Sequence, residues 1–135
     1  MKRSLLTLVT ALCLSSPAFA AAKHLECPEP APVFKAAGAG YLDLNQLAQT
    51  VGTAKLDDKS LYTVAEKVRA NFPDAKDTDV ADLMITAFCT YLNTDAPPDH
   101  RSEAYVRAFE KQTYDAVFGG PPPENYPLKG WLYGN

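Results

Sequence analysis

Apolar residues dominate one stretch in the middle of the chain, Val80–Leu92. Its polar positions are Asp82, Thr86 and Thr90, which are four residues apart. On a helix of about 3.6 residues per turn, this spacing forms one narrow polar stripe and leaves the rest of the surface apolar. Such a helix is buried by neighbours on several sides, so we predict that Val80–Leu92 is the central helix of the fold.

Three other segments repeat apolar residues at helical spacing, but on one face only. This pattern predicts amphipathic helices over residues 42–51, 59–71 and 100–118. The residues expected to cap or end the helices are Gly52, Asp58, Pro73, Asp99 and Gly119–Pro123. No segment of useful length alternates between apolar and polar residues as a strand would. The sequence therefore predicts an all-α fold, a small bundle of about four helices around a buried central helix.

The first 20 residues contain the three parts of a secretory signal peptide. Lys2 and Arg3 form a basic start, Leu5–Leu14 forms an apolar core, and Ala18–Ala20 suits the cleaving peptidase. A short membrane anchor is the alternative, but the apolar run is shorter than the roughly 20 residues that span a bilayer. We expect cleavage after Ala20, export to the periplasm or secretion, and no integral membrane span in the mature protein.

Net charge narrows the possible partners. Removal of Lys2 and Arg3 with the signal leaves 11 basic residues against 16 acidic ones, a net charge of −5. No basic stripe remains in the sequence. Nucleic acid and anionic membrane surfaces are therefore not expected as partners.

Two cysteines, Cys27 and Cys89, remain after the signal is removed. An even number of cysteines in an oxidising compartment predicts a disulfide, with two free thiols as the alternative. The bond would tether an extended arm rich in proline and glycine, residues 21–40, to the central helix. Neither cysteine belongs to a C-x-x-C pair, which argues against a redox-active site.

The helical domain predicted over residues 41–120 is followed by an irregular aromatic tail, residues 121–135. The tail begins with three prolines and carries the chain's only tryptophan. Its large side chains are Tyr126, Leu128, Trp131, Leu132 and Tyr133. They could fold back onto the domain, or Tyr126, Trp131, Leu132 and Tyr133 could bind a partner, since tryptophan and tyrosine dominate interface hot spots.

Signatures of common catalytic sites do not occur in the sequence. Ser60 and Ser102 are the serines of the mature chain, and neither lies in a nucleophile turn. His24 and His100 are its histidines, too few for a closed metal site, and we interpret His100 as an exposed residue near a helix start. No phosphate loop or dinucleotide fingerprint is present. We therefore predict no catalytic residue, no bound metal and no cofactor.

Carboxylates are the remaining groups that could support acid–base chemistry. Asp79 and Asp82 are close on one helix, and Glu103 and Glu110 are two turns apart on another. They could form acid–base pairs, but we interpret them as parts of solvated faces. The polar stripe of the central helix has the same two interpretations, a polar groove or a side that meets water, and we expect the second.

This layout resembles that of small exported helical proteins with one disulfide. Among these are acid-stress periplasmic chaperones of the HdeA type and immunity proteins that neutralise toxins. The shared features are architectural: a signal peptide, a few short helices, and Cys89 late in a central helix. The proline-rich arm and the aromatic tail are departures from the chaperone layout, and no function is carried over from either group.

The expected function is that of an exported, non-catalytic binding or inhibitor-like protein that acts through protein–protein contacts, with a protein of the cell envelope as its partner. An acid-responsive periplasmic chaperone is the alternative, since carboxylates lose their charge as the pH falls through about 4. A carboxylate-based enzyme is the third hypothesis, because residues that are distant in sequence can meet in space.

Overall fold

The computed structural model describes residues 24–29, 32, 34–35, 44–57 and 60–129. The predicted signal peptide lies outside these residues, and so do Trp131, Leu132 and Tyr133. Within them, four α-helices and one 3-10 turn have defined bounds and no strand occurs; Pro32, Phe34 and Lys35 are also helical, so the arm is not extended there, contrary to the prediction. The elements are α1 (Leu44–Leu56), α2 (Leu61–Asn71), α3 (Asp77–Thr94), the 3-10 turn (Pro98–Arg101) and α4 (Glu103–Phe118). The predicted all-α fold is confirmed.

Helix α3 is the centre of the bundle. It packs against α1, α2, α4 and the 3-10 turn. Eleven of its residues are buried, all within the predicted stretch: Val80, Ala81, Leu83, Met84, Ile85, Thr86, Ala87, Phe88, Cys89, Tyr91 and Leu92. The prediction of a buried central helix is therefore confirmed, and the helix extends past the predicted bounds at both ends.

Gly52 lies inside α1, so the prediction that it ends this helix is wrong. The ring of Tyr91 on α3 packs directly against the Gly52 backbone, where a Cβ atom would overlap it. Gly52 is also fully buried. Glycine is used here because it lets two helix backbones approach closely, so the helix continues for one further turn to Leu56.

Two serines cap α2 and α4, whereas Asp58, the predicted cap of α2, lies outside the described residues. The Ser60 hydroxyl accepts a hydrogen bond from the Tyr62 N–H at the start of α2. The Ser102 hydroxyl accepts one from the Tyr105 N–H at the start of α4. Asp99, predicted as the cap of the last helix, lies in the 3-10 turn that precedes α4. Both serines have extended backbone conformations that suit an N-cap position.

The end of α4 agrees with the prediction from the glycine–proline run. Gly119 has a φ of 72°, a left-handed conformation that suits the residue after a helix. Its N–H donates to the Asp115 carbonyl oxygen at 3.1 Å. The chain therefore leaves the bundle here and turns into the tail.

The N-terminal arm is attached to α3 at two neighbouring points. Cys27 and Cys89 form the predicted disulfide, with 5.6 Å between their Cα atoms. One turn further along α3, the Asn93 side chain forms two hydrogen bonds with the Leu25 backbone. Its Oδ1 accepts from the Leu25 N–H at 2.9 Å, and its Nδ2 donates to the Leu25 carbonyl oxygen at 2.8 Å. Leu25 is thereby buried against the core.

We expect Asn93→Ala to lower the free energy of unfolding by about 1–3 kcal/mol, because it leaves two partly buried backbone groups of Leu25 without partners. Hydrogen exchange at the Leu25 amide should accelerate, although the disulfide still holds Cys27. Thr94→Ala on the same turn is the control, since that hydroxyl is exposed and its loss should change stability by less than about 0.5 kcal/mol. An unchanged exchange rate at Leu25 would contradict the assigned role of Asn93.

Candidate functional site

The polar stripe of α3 is partly buried. Thr86 is fully buried, while Asp82 and Thr90 are half-buried. The Thr90 hydroxyl donates to the Thr86 carbonyl oxygen at 3.0 Å. Among the described residues, no hydrogen-bond partner is found for the Thr86 hydroxyl or for Oδ1 of Asp82. The expectation that this stripe meets water is therefore wrong at Thr86, where the helix is enclosed.

Helix α4 contributes a second carboxylate to the interior. Glu110 is 5% exposed and Thr113 is fully buried. Glu103, two turns earlier, is exposed and pairs with Arg107 at 2.7 Å. The expectation of a shared solvated face is therefore wrong for Glu110. The tail returns to α4, where Tyr126 packs against Tyr114 and Phe118 and lies within electrostatic reach of Glu110.

Tyr126, from the tail, is buried against α4. It is 3% exposed, and its ring meets the rings of Tyr114 and Phe118 edge-on, with centroid distances of 5.9 and 5.6 Å. The Tyr114 hydroxyl also donates to the Leu128 carbonyl oxygen at 3.4 Å. At Tyr126 and Leu128 the tail folds back onto the domain. The Tyr126 ring is therefore covered by its own chain and does not present a surface to a partner.

Asp82, Glu110, Tyr114 and Tyr126 form what we call the carboxylate cluster. Burial raises the pKa of Asp82, and Asp79 adds to this increase, while the Tyr126 hydroxyl opposes it. Burial, followed by the interaction with Asp82, raises the pKa of Tyr126 well above its ordinary range. The two groups are close enough to affect each other's pKa, although the Tyr126 hydroxyl makes no well-formed hydrogen bond among the described residues. This environment favours the protonated form of Asp82.

The cluster combines groups that occur in acid–base sites, two carboxyls and a phenol in an apolar environment. The Tyr126 ring contacts the rings of Tyr114 and Phe118, and Tyr126 and Glu110 are almost inaccessible to solvent. A reaction needs a substrate within hydrogen-bonding reach of the acid and the base. Because Tyr126 and Glu110 are buried and Asp82 is half-buried, the cluster presents little open surface to a substrate.

A separate aromatic stack lies where the 3-10 turn meets α4. The His100 ring stacks on the Tyr105 ring with 4.4 Å between their centroids. Nζ of Lys55, on α1, lies 5.4 Å from the centroid of the Tyr105 ring. Lys55 Nζ also donates to Gln112 Oε1 at 2.7 Å. His100 is half-buried in this stack, so its interpretation as an exposed residue is wrong. The stack packs the 3-10 turn and α1 against α4.

An open groove of about 550 Å³ lies between α1 and α2. Its lining is rich in hydroxyl and amide groups: Gln49, Thr50, Thr53, Ala54, Ser60, Thr63, Val64 and Lys67. Next to it in sequence, at the start of α2, Tyr62 is 57% exposed and is the large hydrophobic residue that the described part of the chain leaves in solvent. Sequence reasoning missed this surface, because threonines and a tyrosine at exposed helix positions carry no distinctive pattern.

Neither a metal site nor a membrane-spanning helix is found in the described residues. No three histidine, cysteine, aspartate or glutamate side chains converge there as a metal ion would require. None of the helices in that part of the chain combines the length and apolar character needed to cross a bilayer. No protein-family model, curated protein or solved structure matches the chain.

Proposed function

We propose that this chain is an exported, non-catalytic binding or inhibitor-like protein that acts through protein–protein contacts in the cell envelope. The observations that carry the proposal are the groove between α1 and α2 and the exposed Tyr62, which adjoins the groove residue Thr63 in sequence. Tyrosine offers a large, rigid contact area, and small hydroxyl side chains offer adaptable hydrogen bonds. This combination suits recognition of a protein surface better than it suits enclosure of a small substrate.

The end of the tail belongs to the same proposal. Tyr126 is already covered by α4, so the partner-binding role falls to Trp131, Leu132 and Tyr133. These three supply the kinds of side chain that anchor interfaces. Tyr126 would then act as the internal anchor from which the binding segment extends.

Export to the periplasm or the extracellular space is the proposed location. The signal-peptide pattern and its cleavage position after Ala20 support it. The disulfide between Cys27 and Cys89 agrees with an oxidising compartment. The proposed mature organisation is an arm over residues 21–40, a helical domain over residues 41–120 and a tail over residues 121–135.

The environment of Asp82 does not favour an acid-responsive chaperone. Burial raises the pKa of this carboxyl in the folded state. Its contribution to stability is therefore complete below the unfolded pKa and is lost as the pH rises through the folded pKa. Acid thus strengthens this part of the fold, whereas an acid-activated chaperone needs its fold to loosen. A carboxylate enzyme is not favoured either, because Glu110 is almost inaccessible to solvent and Asp82 is half-buried.

Site-specific photo-cross-linking in cells tests the binding proposal. A photoreactive side chain at position 62 or 132 should yield an adduct of discrete mass with an envelope protein. The same side chain at position 111 is the control, because Lys111 is exposed on α4, outside the residues that line the groove. Excess purified wild-type protein should suppress the adduct at position 62, and the Tyr62→Ala protein should not. Equal cross-linking at positions 62 and 111 would refute the proposal for the groove.

Truncation separates the contributions of the groove and the tail. A chain that ends at Lys129 keeps Tyr126 and Leu128, so its melting temperature should stay close to that of the full chain. Loss of the position-62 adduct in this folded chain would show that the end of the tail is required for binding. Retention of that adduct would assign binding to the groove alone.

A further inference from the structure

The segment Gly119–Lys129 joins the end of α4 to the described part of the tail. It folds on itself through two turns, in which Tyr126 N–H donates to the Pro123 carbonyl oxygen and Lys129 N–H donates to the Tyr126 carbonyl oxygen. Its buried anchor is Tyr126, and Leu128 packs partly against the core. The residues between Gly119 and Tyr126 are exposed or half-buried. A segment attached in this way can open locally without unfolding the bundle.

Tyr126 lies near two carboxyl groups, and burial of a carboxyl group costs more free energy when the group is charged than when it is neutral. Oδ1 of Asp82 is inaccessible to solvent and has no hydrogen-bond partner among the described residues. Glu110 on α4 lies within electrostatic reach of the same tyrosine hydroxyl and is itself buried. A carboxylate that is shielded from water in the folded chain loses hydration when it is ionised, and it would recover this hydration if the tail moved away.

We propose that residues Gly119–Lys129 form a pH-sensitive strap, which closes over α3 and α4 when the Asp82 carboxyl is protonated and loosens when that carboxyl is ionised. The switch is the buried contact between Asp82 and Tyr126, and the hinge is the glycine–proline segment after α4. The inference does not depend on the proposed binding function, since it concerns only how this chain closes on itself.

The charged groups around the switch set its direction. Asp79 on α3 and Tyr126 on the tail act on Asp82, while Tyr114 and Glu110 on α4 act on Tyr126. From α2, the Arg69 guanidinium binds Asp77, Glu66 and the Val117 carbonyl oxygen, and it does not pair with Asp82. Burial therefore dominates and raises the pKa of Asp82 in the closed state. Closure is favoured below that pKa and loses this contribution as the pH rises through it.

Hydrogen exchange of the tail across a pH series tests the strap. Peptides that cover residues 119–129 of the full, oxidised chain would be compared between about pH 4 and pH 8, with the intrinsic pH dependence of exchange removed. Protection at Tyr126 and Lys129 should fall severalfold as the pH rises, while protection in α3 stays constant. Constant tail protection across the series would overturn the proposal.

Asp82→Asn replaces the carboxyl group with a neutral amide of nearly the same size, so residue 82 carries no charge at any pH. Its tail should stay protected at every pH in the series, so the pH dependence disappears. Asp115→Asn is the matched control, because it removes the same charge from an exposed position on α4 and should leave the wild-type profile unchanged. A wild-type pH profile in the Asp82→Asn protein would refute the role of Asp82.

Tyr126→Phe separates the hydroxyl from the ring. The ring still buries Asp82, but the hydroxyl that lowers the pKa of this carboxyl is gone. The pH midpoint of tail opening should therefore move upward. A downward shift or the loss of pH dependence would contradict the assigned contact. In the wild-type protein, the Asp82 carboxyl carbon and the Tyr126 amide should titrate with the same midpoint by NMR, and two different midpoints would also refute the coupling.

Discussion

Replacement of Phe88 by alanine is expected to lower the free energy of unfolding by about 3–5 kcal/mol. Phe88 is fully buried at the middle of α3. Its ring stacks on Phe109 of α4 at a centroid distance of 3.6 Å and also faces Tyr91 and Tyr105 at 6.2 and 6.1 Å. Alanine would remove the group that joins α3 to α4 and would leave a cavity that rigid helices can close only in part.

This loss is a large fraction of the roughly 5–15 kcal/mol that stabilises a typical domain. Urea unfolding followed by circular dichroism measures it. Phe88→Leu should cost much less, because leucine refills most of the space. Tyr62→Ala is the matched aromatic control, since Tyr62 is exposed and its removal should change stability by less than about 0.5 kcal/mol. A loss below about 1 kcal/mol for Phe88→Ala would mean that α3 is not the structural centre.

Removal of the Cys27–Cys89 disulfide is expected to destabilise the oxidised protein by about 4 kcal/mol in the chain-entropy model. The two cysteines are 62 residues apart in sequence, so the bond restricts a long loop of the unfolded chain. The double variant Cys27→Ala/Cys89→Ala isolates this effect. Cys89→Ser should lower the melting temperature further, because Cys89 is fully buried and serine would place a hydroxyl in an apolar site.

Thermal melting with and without a thiol reductant provides the measurement. Reduction should lower the melting temperature of the wild-type chain and leave that of the double alanine variant unchanged. The Asn93 contacts to Leu25 remain possible in both, so the arm should retain partial protection from hydrogen exchange. Equal melting temperatures for the oxidised and reduced wild-type protein would contradict a stabilising role for the bond.

The errors in the helix predictions have specific physical causes. Gly52 suits a helix end and a close helix crossing equally well, and only the position of Tyr91 on α3 distinguishes the two. Ser60 and Ser102 cap their helices although aspartates lie two or three residues earlier. Several neighbouring residues can cap the same helix, and the choice depends on the backbone path into it.

The carboxylate cluster was beyond the reach of periodicity. Glu103 and Glu110 have nearly the same angular position on α4, yet one is exposed and the other is buried. Tyr126 returns to α4 after the turn at Gly119 and lies within electrostatic reach of Glu110. The sequence around Glu110 does not indicate that the Tyr126 ring lies nearby. The interpretation of Glu110 as part of a solvated face was therefore reasonable but wrong.

The sequence by itself determined the helical class, the central position of Val80–Leu92 and the pairing of Cys27 with Cys89. The helical class and the central helix follow from the periodicity of apolar residues, and the disulfide follows from the count of two cysteines. Both features can be read from the sequence alone. Tertiary structure alone decided that Asn93 binds the Leu25 backbone and that Tyr126 is buried within electrostatic reach of Asp82 and Glu110. Such contacts join residues far apart in the chain, and their burial depends on how the helices pack, which periodicity along one helix does not specify.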